Sequence, residues 1–218
     1  TNNDWLLLFN TRNSHIINNT ITNTLYGIEL QGSSNNTISQ NNESDGSMGM
    51  AVLGSSNNII SQNRITNNLN AGLYLGALCG CANTSSWNQI FQNQITNNSN
   101  EGISLWESSG NQIFENQITN NGDGISLDTS ACTVAANNIT SNGNGIDIRS
   151  SGCVIVGNNI TDNDVAVYFE YGVMVNDKFY HNNFINNTQQ VYSYGQHAIW
   201  DIGSPSGGNY WSTYKGKD

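Results

Sequence analysis

The sequence predicts an all-β solenoid, a parallel β-helix of about eight to nine coils with three short strands per coil. One asparagine recurs down the chain, at Asn19, Asn41, Asn63, Asn93, Asn116, Asn137, Asn158 and Asn182, in steps of 22, 22, 30, 23, 21, 21 and 24 residues. Apolar residues keep the same register, and they alternate apolar, any, apolar, which is strand period. No span of a coil is long enough for a helix, and its Ile, Thr and Val content favours strands.

Each element follows from its column. Three residues before each Asn stand Ile16, Ile38, Ile60, Ile90, Ile113, Val134, Ile155 and Phe179, the core of one strand. Two after it stand Ile21, Ile65, Ile95, Ile118, Ile139, Ile160 and Phe184, with Glu43 breaking the column. A third strand carries paired positions such as Ile28 and Leu30, Ile103 and Leu105, or Ile125 and Leu127. A tight corner needs left-handed backbone angles, which Asn tolerates, so the Asn column is expected to supply them. Its amides, stacked at the coil spacing, are expected to bond one another in a ladder.

The coils, read as N-x-I-T-N-N-x-x-G-I-x-L, resemble the NosD-like or CASH right-handed β-helix proteins. The tail, Trp200-Asp201 followed by Gly207-Gly208-Asn209-Tyr210-Trp211-Ser212, is similar to a C-terminal signature of archaeal surface members. The resemblance spans nearly the whole chain. It implies that the Asn ladder lies between the second and third sheets, and that the G-I-x-L strands form the first. In related lyases and hydrolases that sheet binds polysaccharide.

Residues 1–195 are expected to form the repeats and residues 196–218 an aromatic cap, with Trp200, Tyr210, Trp211 and Tyr214 covering the last coil. Leu6 and Leu8 fall in phase with Ile28 and Leu30, so the first strand is expected to belong to a coil begun before Thr1. Either more chain or a second copy stacked end to end is expected to cover that side.

A formal charge of −10 with six Lys and Arg argues against nucleic acid and anionic membrane surfaces as partners. No run approaches the ~18 apolar residues of a membrane span. Eight N-x-S/T sequons, at Asn18, Asn35, Asn42, Asn83, Asn97, Asn138, Asn159 and Asn186, suit a surface glycoprotein, though 40 Asn and 40 Ser plus Thr would give nearly as many by chance. Cys132 and Cys153 stand one coil apart at matching positions and are expected to form a disulfide. Cys79 and Cys81, in the coil lengthened to 30 residues, either close a tight bridge or stay free. Disulfides place the protein outside the cytoplasm, extracellular or at the cell surface.

Candidate chemistry gathers on the outer face of the first sheet. Trp106, Asp128, Arg149, Glu170 and Tyr194 form one outward column, and Asp147, Tyr168 and Tyr192 the column beside it. Aromatic faces and carboxylates suit a polysaccharide or cell-surface glycan. Equally, Asp128–Arg149–Glu170 reads as a charge-alternating ladder with no ligand. The expected role is therefore a structural or carbohydrate-binding module. The alternative is a polysaccharide-active enzyme, a hydrolase, lyase or epimerase, with Asp128, Asp147 and Glu170 as its carboxylates. Asp128 and Glu170 two coils apart would lie roughly 9–10 Å from each other, near the range of inverting glycosidases. No cofactor is expected. The oxygen-rich turns Asn121-Gly122-Asp123-Gly124 and Asn142-Gly143-Asn144-Gly145 offer calcium donors, yet are also ordinary turn chemistry. Copper has no support, because His15, His181 and His197 are out of register and only Met48 and Met50 lie close together.

Overall fold

The computed structural model describes residues 5–77, 84–129, 131–149, 152–171, 176–195 and 197–216. Within them the strands form three parallel sheets. The first has nine strands, running from Leu6–Phe9 through Glu101–Trp106, Asp123–Asp128, Asn144–Ile148 and Val165–Phe169 to Gln189–Tyr192. The second has eight, from His15–Ile17 to Lys178–Tyr180, and the third nine, from Thr20–Thr22 to Tyr210–Trp211. Each strand pairs with its counterpart one coil away, so equivalent residues superpose: Ile113 on Val134, Ile118 on Ile139, Ile125 on Ile146. The apolar columns fill one continuous core.

The Asn column lies between the second and third sheets and forms a ladder. Asn116 shows the rung: its Oδ1 accepts from the backbone N–H and the amide of Asn93, and its Nδ2 donates to Asn137 Oδ1 and the Ile90 and Phe114 carbonyls. The ladder runs one coil past the repeat read from sequence, to Asn209, beside the strand Tyr210–Trp211.

The left-handed residues are not the ladder asparagines but their predecessors: Asn18, Gln40, Gln62, Gln92, Glu115, Ala136, Gly157 and His181 all have positive φ. This corrects the expectation above. The residue turning the corner points to solvent and varies, whereas the next one turns its amide inward and cannot.

The same device occupies the other two corners. Asn36, Asn58, Asn88 and Asn111 stack between the first and second sheets, and Asn68, Asn98, Asn121, Asn142, Asn163 and Asn187 between the third and first. At the rungs following Asn111 stand Cys132 and Cys153, joined by a disulfide with α-carbons 4.6 Å apart, and then Asp177. The Cys132 N–H points to Cys153 Sγ, and the Cys153 N–H donates to Asp177 Oδ1 at 2.8 Å, as along an Asn ladder. Cys79 and Cys81 lie outside the described residues.

A glycine column, Gly49, Gly72, Gly102, Gly124 and Gly145, lies against the third ladder. A Cβ there would fall within 3.0 Å of the next coil's carbonyl and of an Ile methyl below it. The exception in the Ile column is a real defect: Glu43 is fully buried between Ile21 and Ile65, neither carboxyl oxygen has a hydrogen-bond partner, and burial holds its pKa well above the usual range.

At the C-terminal end, Trp200 stacks on Phe179 at 4.4 Å and Trp211 on Phe184 at 4.2 Å. Tyr210 and Tyr214, expected to share that cover, face solvent. Among the sequons, Asn18, Asn35, Asn97, Asn138 and Asn186 are exposed and Asn42 and Asn159 half-buried, while Asn83 lies outside the described residues.

Candidate functional site

The outer face of the first sheet carries a trough. Its floor is the central outward column, paired in register as Tyr74, Ser104, Ser126, Asp147, Tyr168 and Tyr192. Two serines, too small to project, lie between aromatic rings four coil steps apart, about 19 Å. One wall is the column Glu101, Asp123 and Asn144. The other rises from Trp106 and Asp128, paired in register, and continues through Arg149 and Glu170.

Alternation from Ile125 would put Asp123 in the core. The strand bends at its glycine instead. Gly102 and Gly124 face the Ile column of the third sheet, so Glu101 and Asp123 turn outward. Both acids show their place by their neighbours. Glu107 and Glu101 add to burial in raising the Tyr74 hydroxyl, and Asp123 acts on Arg149. Ser99, Asn100, Glu101, Gly122, Asp123 and Arg149 line a depression of about 460 Å³ on this wall.

Arg149 is the centre of the charges. Its Nε donates to Asp147 Oδ2 at 2.7 Å and lies 3.5 Å from Glu170. No ion pair joins it to Asp128, although its charge still favours that carboxylate, so the Asp128–Arg149–Glu170 column is paired more closely at Glu170 than at Asp128. Asp147 is 3% exposed, and its Oδ1 has no hydrogen-bond partner. Burial pushes its pKa up to about 6, with Arg149 opposing and Asp123 and Glu170 reinforcing. Burial also raises Asp128, against the pull of Arg149. A carboxyl poised near neutrality beside a guanidinium can bond a hydroxyl or amine, or exchange a proton with one.

Toward the C-terminus the trough becomes aromatic. Tyr168 and Tyr192 stack at 5.2 Å, Tyr194 meets Tyr192 edge-on at 5.3 Å, and Tyr171 meets Tyr194 at 5.5 Å. The residues singled out from sequence are thus brought to one face, with Trp106 at a distance from the tyrosines. Glu101 and Asp123 were missed as a wall of this face, Asp123 having been read only as part of a turn offering calcium donors, and so were Glu107 and Tyr171. The repeated position before each glycine of the G-I-x-L motif was the available signal for the first two.

A family model described as periplasmic copper-binding protein (NosD) matches residues 1–131 and 123–216. No curated protein sequence matches the chain. Among solved structures, the periplasmic alginate epimerase AlgG superposes with a TM-score of 0.74 at 18% identity, over 85% of this chain and 48% of its own. The A-module of the mannuronan C-5 epimerase AlgE6 of Azotobacter vinelandii gives 0.64 at 15% identity, over 86% and 63%. The catalytic domain of a GH87 α-1,3-glucanase gives 0.62 at 14% identity, over 92% and 50%. The chain spans about half the length of the first and third of these structures. At such identities the likeness is one of fold.

The family description raises copper, and the described residues do not fit it. His15 lies in the first strand of the second sheet, whereas His181 follows the last strand of that sheet and contacts the Ser206 carbonyl. Met50 is sealed in the core, and Cys132 and Cys153 are bonded to each other. No three His, Cys, Asp or Glu side chains among the described residues converge to hold a metal. In the turns considered for calcium, the Asn121 and Asn142 side chains serve the third ladder.

Proposed function

As the chain belongs to the NosD family of parallel β-helix proteins, we propose that it is an extracytoplasmic module that binds polysaccharide along the outer face of the first sheet. The observation that carries this reading is the trough itself. Stacked tyrosine rings offer flat apolar faces to sugar rings, and Asp147, Arg149 and Glu170 beside them offer donors and acceptors to hydroxyls. The polysaccharide-active neighbours support a carbohydrate partner. The periplasmic description of the family and the Cys132–Cys153 disulfide support an oxidising compartment. No helix among the described residues is long and apolar enough to cross a membrane.

Titration with a panel of uronate, neutral and amino-sugar polymers tests the reading. Binding that is lost when Tyr168 and Tyr192 are both changed to Ala, with unchanged melting, is the expected result. Binding to no polymer, or binding indifferent to the double variant, would refute it. One observation favours a second reading, catalysis: Asp147 is buried against Arg149 and titrates near neutrality. Release of reducing ends or unsaturated product, abolished by Asp147→Asn, would convert the module into an enzyme.

A further inference from the structure

We propose that the trough selects a positively charged glycan, a polymer carrying free amino sugars, over neutral or uronate chains. The inference rests on the trough being the glycan site and concerns what that site excludes. Its walls and floor carry Glu101, Glu107, Asp123, Asp128, Asp147 and Glu170, while Arg149 is the sole cation among the described residues of this face. That guanidinium is already held by Asp147 and Glu170. A uronate would meet carboxylates and find its natural partner engaged.

The other described cations lie elsewhere. Arg12 sits beside Ser34 at the corner of the first and second sheets, Arg64 bonds Asn42 on the third sheet, Lys178 starts a strand of the second, and Lys215 lies in the tail. Apart from Arg149, the described cations thus lie off this surface.

A second observation points to a ligand. Asp147 belongs to the outward central column, is almost wholly buried, and leaves Oδ1 without a donor. An unmet acceptor there costs about 1–3 kcal/mol, a cost an incoming N–H would offset. An ammonium group supplies three such donors and the opposite charge. Its sugar ring would reach the Tyr168–Tyr192 stack one coil away, since Asp147 pairs in register with Tyr168. The preference is electrostatic at a partly open surface, so it weakens with salt.

Three forms of a β-linked glucosamine polymer and its relatives decide the matter: the free amine, its N-acetylated counterpart, and a polyuronate. Each is titrated by calorimetry at a pH where the amines carry protons. The free amine should bind about tenfold more tightly than the acetylated form, several exposed charge pairs each adding modestly. The advantage should shrink at high salt and fall about two- to threefold in the Glu101→Gln/Asp123→Asn double variant with unchanged melting, since four acids of the face remain. Equal or tighter binding of the acetylated polymer or the polyuronate overturns this inference and leaves the trough as a glycan site. Absence of binding by all three overturns this inference, while the trough reading itself falls only if the wider panel of neutral polymers also fails to bind.

Discussion

Between the second and third sheets, Asn19, Asn41, Asn63, Asn93, Asn116, Asn137, Asn158, Asn182 and Asn209 occupy one position without interruption. On the outer face of the first sheet the matching column reads Leu7, Glu29, Ala51, Tyr74, Ser104, Ser126, Asp147, Tyr168 and Tyr192. Both columns stack at the same spacing. They differ in what the neighbours require. An inward amide completes hydrogen bonds for two coils, so any substitution strands buried donors. An outward side chain serves no backbone group and is free to vary. Repetition therefore marks what holds the solenoid, and departure from it marks where the surface has chemistry to do.

The comparison breaks if the ladder proves dispensable. Asn116→Ala should cost on the order of 3 kcal/mol, because it strands the buried backbone N–H of Asn93, takes one acceptor from the Asn93 amide, and removes the donor to the Ile90 carbonyl and Asn137 Oδ1. Asn138→Ala, at an exposed position one residue past a rung, should cost within about 0.5 kcal/mol. Denaturant melts compare them, and equal losses would refute the contrast.

The rungs that are not asparagine sharpen it. Asp177 stands in a ladder position with Oδ2 unpartnered, and burial pushes it up to about 6 against the backbone N–H groups that favour its charge. An acid with a folded pKa above its unfolded value of about 3.9 contributes stability that is complete below pH ~4 and lost as pH rises through ~6. For Asp177 the loss is about 3 kcal/mol, and Asp147 acts in the same window. Melting temperature should therefore fall between pH 4 and 7, and Asp177→Asn should flatten that fall. A melting temperature that rises over this interval would contradict the assignment.

Glu43→Ile restores the Ile column of the third sheet. It should stabilise the protein by about 2 kcal/mol at neutral pH, and by less in acid, where the wild-type carboxyl is protonated in both states. The smallest effect belongs to the outer face. Tyr168→Ala should leave the melt nearly unchanged while weakening glycan binding by roughly five- to tenfold, the loss of one aromatic platform.

The fold was legible because inward columns repeat. The first Asn ladder and the Ile columns stand at coil spacing with one exception among them, Glu43. The other two ladders were harder to see, since Ser14, Cys132, Cys153 and Asp177 interrupt one and Thr24 and Gly46 begin the other. The one-residue error in the left-handed position has a plain cause. Asn favours both left-handed angles and ladder bonds, and the two roles fall on adjacent residues. The trough was only half legible. Asp128, Asp147, Arg149 and Glu170 obey strand alternation, whereas Glu101 and Asp123 do not, because the glycine after each lets the strand bend.

Hydroxyl-radical footprinting with and without a bound glycan tests most directly whether the first sheet is the working face. Tyr168, Tyr192, Tyr194 and Trp106 should be shielded, while Tyr210 and Tyr214 at the C-terminal end, both exposed, should oxidise as before. Shielding of Tyr210 or Tyr214 with the trough tyrosines unchanged would contradict the account.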